Sequence, residues 1–201
     1  MAPRAPSSGT GLRAEPASLL ERRRDDILAA VVAGVPYARF LGIGFERRGD
    51  ELTARLAFDD KLIGNPMVPA IHGGVTAAFL EVTAILALGW RLLLPAIDAH
   101  DIDPGQVAAG RLPRLPRTID FSVNYLRPGL PRDAFARAVI CRMGRRFSTV
   151  RVEAWQDQRD RPFAQAAGHF RMPKADVPDV PDVAGGAGSG QPAPVPRAGD
   201  G

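Results

Sequence analysis

The chain has 201 residues, 45% of them hydrophobic and 24% charged, which suits one globular domain with a real core and falls short of two. Its formal charge of +4 is mild and is not gathered into one stripe, which argues against a nucleic-acid binder. Cys141 is the single cysteine, so no internal disulfide can form and the chain does not read as a stapled secreted domain.

The ends differ in composition from the middle. Residues 1–16 are rich in Pro, Ser, Gly and Ala without an apolar run, so they read as a disordered segment and not a secretory signal. With Arg present and no acid before Glu15, a transit peptide stays open as an alternative. Twelve of the 29 residues in 173–201 are Gly or Pro, the composition of a disordered tail. That leaves 17–172 as the folding unit, and the expected compartment is the cytoplasm. The tail holds four aspartates against Lys174 and Arg197, so the rest of the chain carries about +6. Apart from Lys61 and Lys174 every basic residue is arginine, whose planar fork suits phosphate and carboxylate.

Ala17–Ala33 reads as a helix, with Pro16 near its start and Gly34 at its stop, and 35–41 as a short helical turn. Leu52, Ala54, Leu56 and Phe58 alternate with Thr53, Arg55 and Ala57, which is strand period. Residues 43–48 would be its hairpin partner, turning at Gly49-Asp50. The stretch 75–94 is the most apolar, interrupted by Thr76, Glu81, Thr83 and Arg91. Its length would span a bilayer, but Glu81 at mid-segment would cost about 2.5–3.5 kcal/mol there, and no second span exists. A helix apolar all round is more simply one wrapped by a sheet. After a Pro- and Asp-rich loop, 95–116, come four strand-like runs. Ile119, Phe121, Val123 and Tyr125 alternate in the first, 134–142 forms the second, Phe147–Trp155 the third and 163–171 the fourth. Helix, hairpin, long helix and antiparallel meander imply an α+β fold, a curled antiparallel sheet packed on one helix.

Chemistry concentrates around that helix. Ile71-His72-Gly73-Gly74-Val75 stands at its mouth, where two glycines let backbone approach a ligand and the first helical N–H groups point outward. Those donors and the helix dipole suit a carbonyl oxygen that becomes an oxyanion; the plain alternative is a Gly-rich turn before a helix. Glu81 lies amid Phe79, Leu80, Val82, Ala84 and Ile85, where an unpaired carboxylate is costly to bury. Burial is expected to raise its pKa and suit it to general-base or nucleophilic work, unless it reaches solvent or pairs with an arginine.

Asn65, His72-Gly73-Gly74 and Glu81, with Thr118-Ile119-Asp120 and Tyr125-Leu126-Arg127-Pro128, resemble the hotdog-fold acyl-CoA thioesterases of the PaaI type. The likeness runs from about residue 42 to 172. It implies a hotdog fold with an extra N-terminal helix, and hydrolysis of acyl-CoA to free acid and coenzyme A. The resemblance makes Gly73 N–H the donor that polarises the thioester carbonyl, aided by Asn65, and Glu81 the base or nucleophile. Thr118 falls where some members hold the attacking water with Ser or Thr. Helix geometry adds a constraint: eight residues place Glu81 about 12 Å along the axis from Gly73, too far to serve one carbonyl carbon within one chain. A composite site is therefore expected, Gly73 and Asn65 from one subunit and Glu81 and Thr118 from its partner. The resemblance also implies a homodimer, or a dimer of dimers, with no membrane partner.

Around this centre, His72 is expected either to contact substrate or to cap the helix, and Gly74 to line the substrate path. Arg127, Arg145 and Arg146, with Arg132, are candidates for coenzyme A phosphates. Cys141 reads as a small strand hydrophobe. Asp98, His100, Asp101 and Asp103 miss the spacing of a calcium loop, so no metal is expected, nor any cofactor beyond the coenzyme A of the substrate. Two other functions stay open: a non-catalytic acyl-CoA-binding module, and a hotdog enoyl-thioester hydratase or dehydratase. The latter uses a His ahead of the helix paired with an acid on it, or an Asp-His pair in an Asn-Pro turn. Here Asn65-Pro66 has no His until His72 at the helix mouth.

Overall fold

The computed structural model describes residues 17–173 apart from Leu112; the terminal segments expected to lack structure, 1–16 and 173–201, lie outside the described residues except for Pro173. In chain order come α1 (Ala17–Ala33), α2 (Pro36–Leu41), β1 (Ile43–Arg48), β2 (Glu51–Leu56), a 3-10 turn (Asp60–Leu62), α3 (Gly73–Asp98), α4 (Pro104–Ala108), β3 (Arg117–Tyr125), β4 (Ala134–Met143), β5 (Phe147–Trp155) and β6 (Ala164–Arg171). Pro36 opens α2, and Gly42, in the left-handed region at φ 75°, closes it with N–H bonds back to Ala38 and Arg39.

The six strands form one antiparallel sheet in the order β1-β2-β4-β5-β6-β3. This corrects the expected meander, which holds only for β4, β5 and β6. Between β3 and β4 the chain carries Pro128 and Pro131, whose missing N–H groups disfavour a tight hairpin. Leu126 and Arg127 instead donate to the Phe163 carbonyl, and β3 pairs with β6 at the far edge.

The inner face follows the two-residue period. Val150, Val152 and Ala154 of β5 and Ala164, Ala166 and Phe170 of β6 are buried against Phe79, Leu80, Leu86 and Leu88 of α3. The sheet curls around α3, which touches every strand from β2 to β6, as the hotdog resemblance implied. Helix α3 is long and apolar enough to cross a membrane by length and composition, but these apolar side chains lie in the protein core.

The loop expected from 95 onward starts later, because α3 continues through Pro95 to Asp98. Proline in the last turn sacrifices few backbone bonds, and its carbonyl still accepts from Ala99 N–H at 3.0 Å. Two of the residues that looked metal-like have other work. Asp98 pairs with Arg24 of α1 at 2.8 Å, and Asp103 caps α4 through Gly105 N–H at 3.0 Å. Arg47 of β1 reaches both Glu21 and Asp25 at 2.8 Å, while Arg23 donates to the Ile102 carbonyl. These bonds, with buried Ile27, Leu28 and Val31, lay α1 over β1 and the far end of α3.

Asp133 ties the exit of β2 to the start of β4. Phe58 N–H, at 2.8 Å, and then Arg55 hold its carboxyl below the ordinary aspartate range. A depressed folded pKa gives stability that is present above the unfolded value, near 4, and lost as pH falls through the folded one. Asp133→Asn is expected to lower Tm at neutral pH by about 2–4 °C, the equivalent of about 1 kcal/mol in a domain of this size. The loss should shrink as wild type and variant are both taken below pH ~4. Thermal melts across pH 3–7 check this, and parallel Tm curves for the two proteins would contradict it.

Candidate active site

The mouth of α3 is built by hydrogen bonds that give its two glycines different roles. His72 is the N-cap: its Nδ1 accepts from Gly74 N–H at 3.0 Å, and its carbonyl accepts from Thr76 N–H at 3.0 Å. A Cβ on Gly74 would stand 3.0 Å from that Nδ1, tight enough to disturb the cap. Tyr125 Oη donates to the Gly73 carbonyl at 2.9 Å. Gly74 N–H is therefore occupied, whereas Gly73 N–H has no acceptor among the described residues. It lies at the positive end of a 26-residue helix, the free donor that an oxyanion requires.

The loop before the mouth is cross-tied. His72 N–H donates to Leu62 O and Ile71 N–H to Gly129 O, both at 2.8 Å, and Ile63 bridges Ile71. Gly64 packs so closely on His72 that a Cβ would overlap its ring at 2.5 Å, which sets the next residue, Asn65, beside the mouth. Asn65 Oδ1 accepts from Met67 N–H at 2.9 Å, so its amide NH2 is the end left for a ligand.

Glu81 and Thr118 lie further along. Helix α3 and strand β3 run in opposite directions: Tyr125 meets Gly73, and Leu115 and Pro116 meet Gly89. Glu81 stands two turns beyond Gly73, about 12 Å, and Thr118 likewise falls between the two contact points, away from the mouth. The structure thus sets Glu81 and Thr118 apart from the Gly73 mouth. Thr118 pairs with Phe170 across β3 and β6 and shares its inward side; its Oγ1 is buried and has no partner among the described residues, next to a bulge between Thr118 and Asp120.

The enclosure expected for Glu81 is incomplete within one chain. Gly74, Ala78, Glu81, Ile85 and Leu92 recur at helical spacing along one face of α3, and each is exposed or half-buried. Around them Phe79, Leu80, Val82, Thr83, Ala84 and Leu86 are buried. Glu81 has no hydrogen bond or ion pair among the described residues. At the sheet's edge, β3 exposes Ile119 at 53% and Tyr125 at 55%, and its side away from β6 is the kind of open strand edge that takes up another chain.

The arginines expected to share one ligand are apart. Arg127 follows Tyr125 at the mouth end of β3, beside a pocket of about 310 Å³ that Arg132, Gln156, Arg161 and Phe163 also line. Arg132 there pairs with Asp157 at 2.5 Å. Arg145 and Arg146 occupy the β4–β5 turn, where Arg146 O accepts from Met172 N–H, at the other end of the sheet. The nine residues of β3, eight rises of about 3.3 Å, put about 26 Å between these ends. At the turn end Arg117 lies directly opposite Arg171, adding to the positive charge there. Sequence reading missed the Tyr125 hydroxyl as a site group, because strand period marks an inward ring without saying what its oxygen meets.

Residues 64–171 match the family model described as the acyl-CoA thioesterase N-terminal domain. The chain is 33% identical over 121 residues to the medium/long-chain acyl-CoA thioesterase YigI of Salmonella typhimurium, covering 59% of this chain and 74% of that protein. Its Escherichia coli K12 counterpart is 32% identical over 126 residues, 62% of this chain and 77% of the relative. Among solved structures, a protein of Chromobacterium violaceum superposes with a TM-score of 0.53 at 30% identity, over 79% of this chain and 99% of that one. A Shewanella oneidensis protein related to the thioesterase superfamily gives 0.56 at 26% identity, over 76% and 97%.

Proposed function

The chain belongs to the acyl-CoA thioesterase family, and on that premise we propose that it hydrolyses acyl-CoA at a site completed by a second copy of itself. The observation that carries the reading is the half-open face of α3, which bears Glu81 about 12 Å from the free Gly73 N–H. A partner docked along the β3 edge covers that face and sets its own Gly73 and Asn65 against Glu81 and Thr118.

In this arrangement Gly73 N–H and the Asn65 amide bind the carbonyl oxygen. Thr118 Oγ1, buried and without a partner among the described residues, holds the water. Glu81 takes a proton from that water as its oxygen adds to the carbonyl carbon, or it attacks first and water opens the resulting anhydride. In either route the tetrahedral oxyanion collapses, the C–S bond breaks, and coenzyme A leaves as a thiolate that takes up a proton. Medium and long acyl chains are the first substrates to try, since the YigI relatives are named for them. The reading places the enzyme in the cytoplasm, in keeping with a lone exposed Cys141.

Release of free thiol from an acyl-CoA series of increasing chain length tests the activity; tight binding with no thiol released would make the protein a binding module instead. The arginines are tested separately. Replacing both Arg145 and Arg146 with Ala is expected to raise KM for acyl-CoA about tenfold or more, through lost charge-assisted bonds to phosphate. KM for an acyl thioester lacking the nucleotide should not move, and equal effects on both substrates would remove the two residues from phosphate binding.

A further inference from the structure

The peptide joining Gly73 to Gly74 is held at both of its polar ends. Tyr125 Oη donates to its carbonyl at 2.9 Å, and its N–H donates to His72 Nδ1 at 3.0 Å. Two successive glycines are the residues least able to hold their own dihedrals, and the N–H groups of a helix's first turn have no helical acceptor to steady them. An oxyanion donor works by standing in place before charge develops, so a donor carried on two glycines needs outside support.

We propose that Tyr125 is a positioning residue for the oxyanion site, fixing the aim of the Gly73 N–H by clamping the peptide that follows it. The inference rests on the thioesterase reading and adds to it a group that never touches substrate. The Tyr125 ring reinforces the clamp, because its edge lies 3.5 Å from where a Gly73 Cβ would stand, closing one side of the glycine. Its place on the strand matters as well. Tyr125 is 55% exposed on the open β3 edge of the single chain, so a partner that covers this edge also stiffens the clamp. Assembly and the readiness of the oxyanion donor are thereby linked through one side chain.

Tyr125→Phe removes only the hydroxyl and keeps the ring. Its kcat is expected to fall about tenfold, the worth of one hydrogen bond, with KM within twofold of wild type. Hydrogen exchange followed by NMR should show the Gly74 amide exchanging faster in the variant while β5 amides keep their protection. An unchanged kcat would overturn the proposal. So would a uniform loss of amide protection with kcat and KM shifting together, because Tyr125 would then be a packing residue only. Glu81→Gln, assayed alongside, keeps the two levels apart: an inactive Glu81→Gln beside a fully active Tyr125→Phe removes the clamp and leaves the thioesterase mechanism standing. A fully active Glu81→Gln removes the mechanism itself.

Discussion

Glu81→Gln is expected to lower kcat for acyl-CoA hydrolysis by about 10³-fold, within the range that general acid–base groups contribute. The substitution keeps shape and hydrogen-bonding capacity but removes both the basic electron pair and the nucleophilic oxygen. It therefore disables Glu81 in either role. The structure argues that the fold survives. Glu81 has no ion pair or hydrogen bond to lose among the described residues, and its half-covered position does not trap an unpaired amide. Tm should stay within about 2–4 °C of wild type, the shift that about 1 kcal/mol produces in a domain of this size. KM should change little, since the carboxylate acts on the reacting carbon and not on coenzyme A. A variant with wild-type turnover would falsify the assignment. A variant that loses its Tm together with its activity would show that Glu81 supports the fold instead.

How far these residues were legible in the sequence depends on the kind of physics each obeys. Strand period marked Val150, Val152 and Ala154 as one face, and all three are buried; Gly34 closes α1 after Ala33 as drawn. Pairing order was not legible, because alternation says which face a side chain takes and nothing about which strand lies beside it. That is why β3 appears at the far edge beside β6. The helix mouth was legible as a motif, yet only coordinates divide its two glycines into an occupied and a free donor. Among charged groups, Arg127 and Arg145 looked alike in sequence. Strand length then separates them, since the β3 run between their ends exceeds the reach of either side chain.

Mixing two inactive variants is expected to restore activity if the catalytic site is shared between chains. Gly73→Ala keeps the mouth intact, since its added Cβ would clear the Tyr125 ring by 3.5 Å, an ordinary contact. The methyl group stands on the Tyr125 side of Gly73 and crowds the N–H that receives the carbonyl oxygen; interfering with one oxyanion donor costs about 10²-fold or more in kcat, the loss expected of this variant. Glu81→Gln supplies the other lesion. In a two-fold dimer each site draws Gly73 from one copy and Glu81 from the other. A mixed dimer then carries one site with both lesions and one with neither. After denaturation and joint refolding at equal concentration, random pairing makes half the dimers mixed, so about a quarter of wild-type activity should return. If Gly73 and Glu81 served one carbonyl within a single chain, every site would keep one lesion and mixing would restore nothing. The helix sets this contrast: about 12 Å of rigid axis lies between the two groups, and a reacting carbon must come within about 3.5 Å of its nucleophile. Activity that stays at the level of the separate variants, with mixed dimers shown to have formed, would return both groups to one chain and require α3 to bend between Gly73 and Glu81.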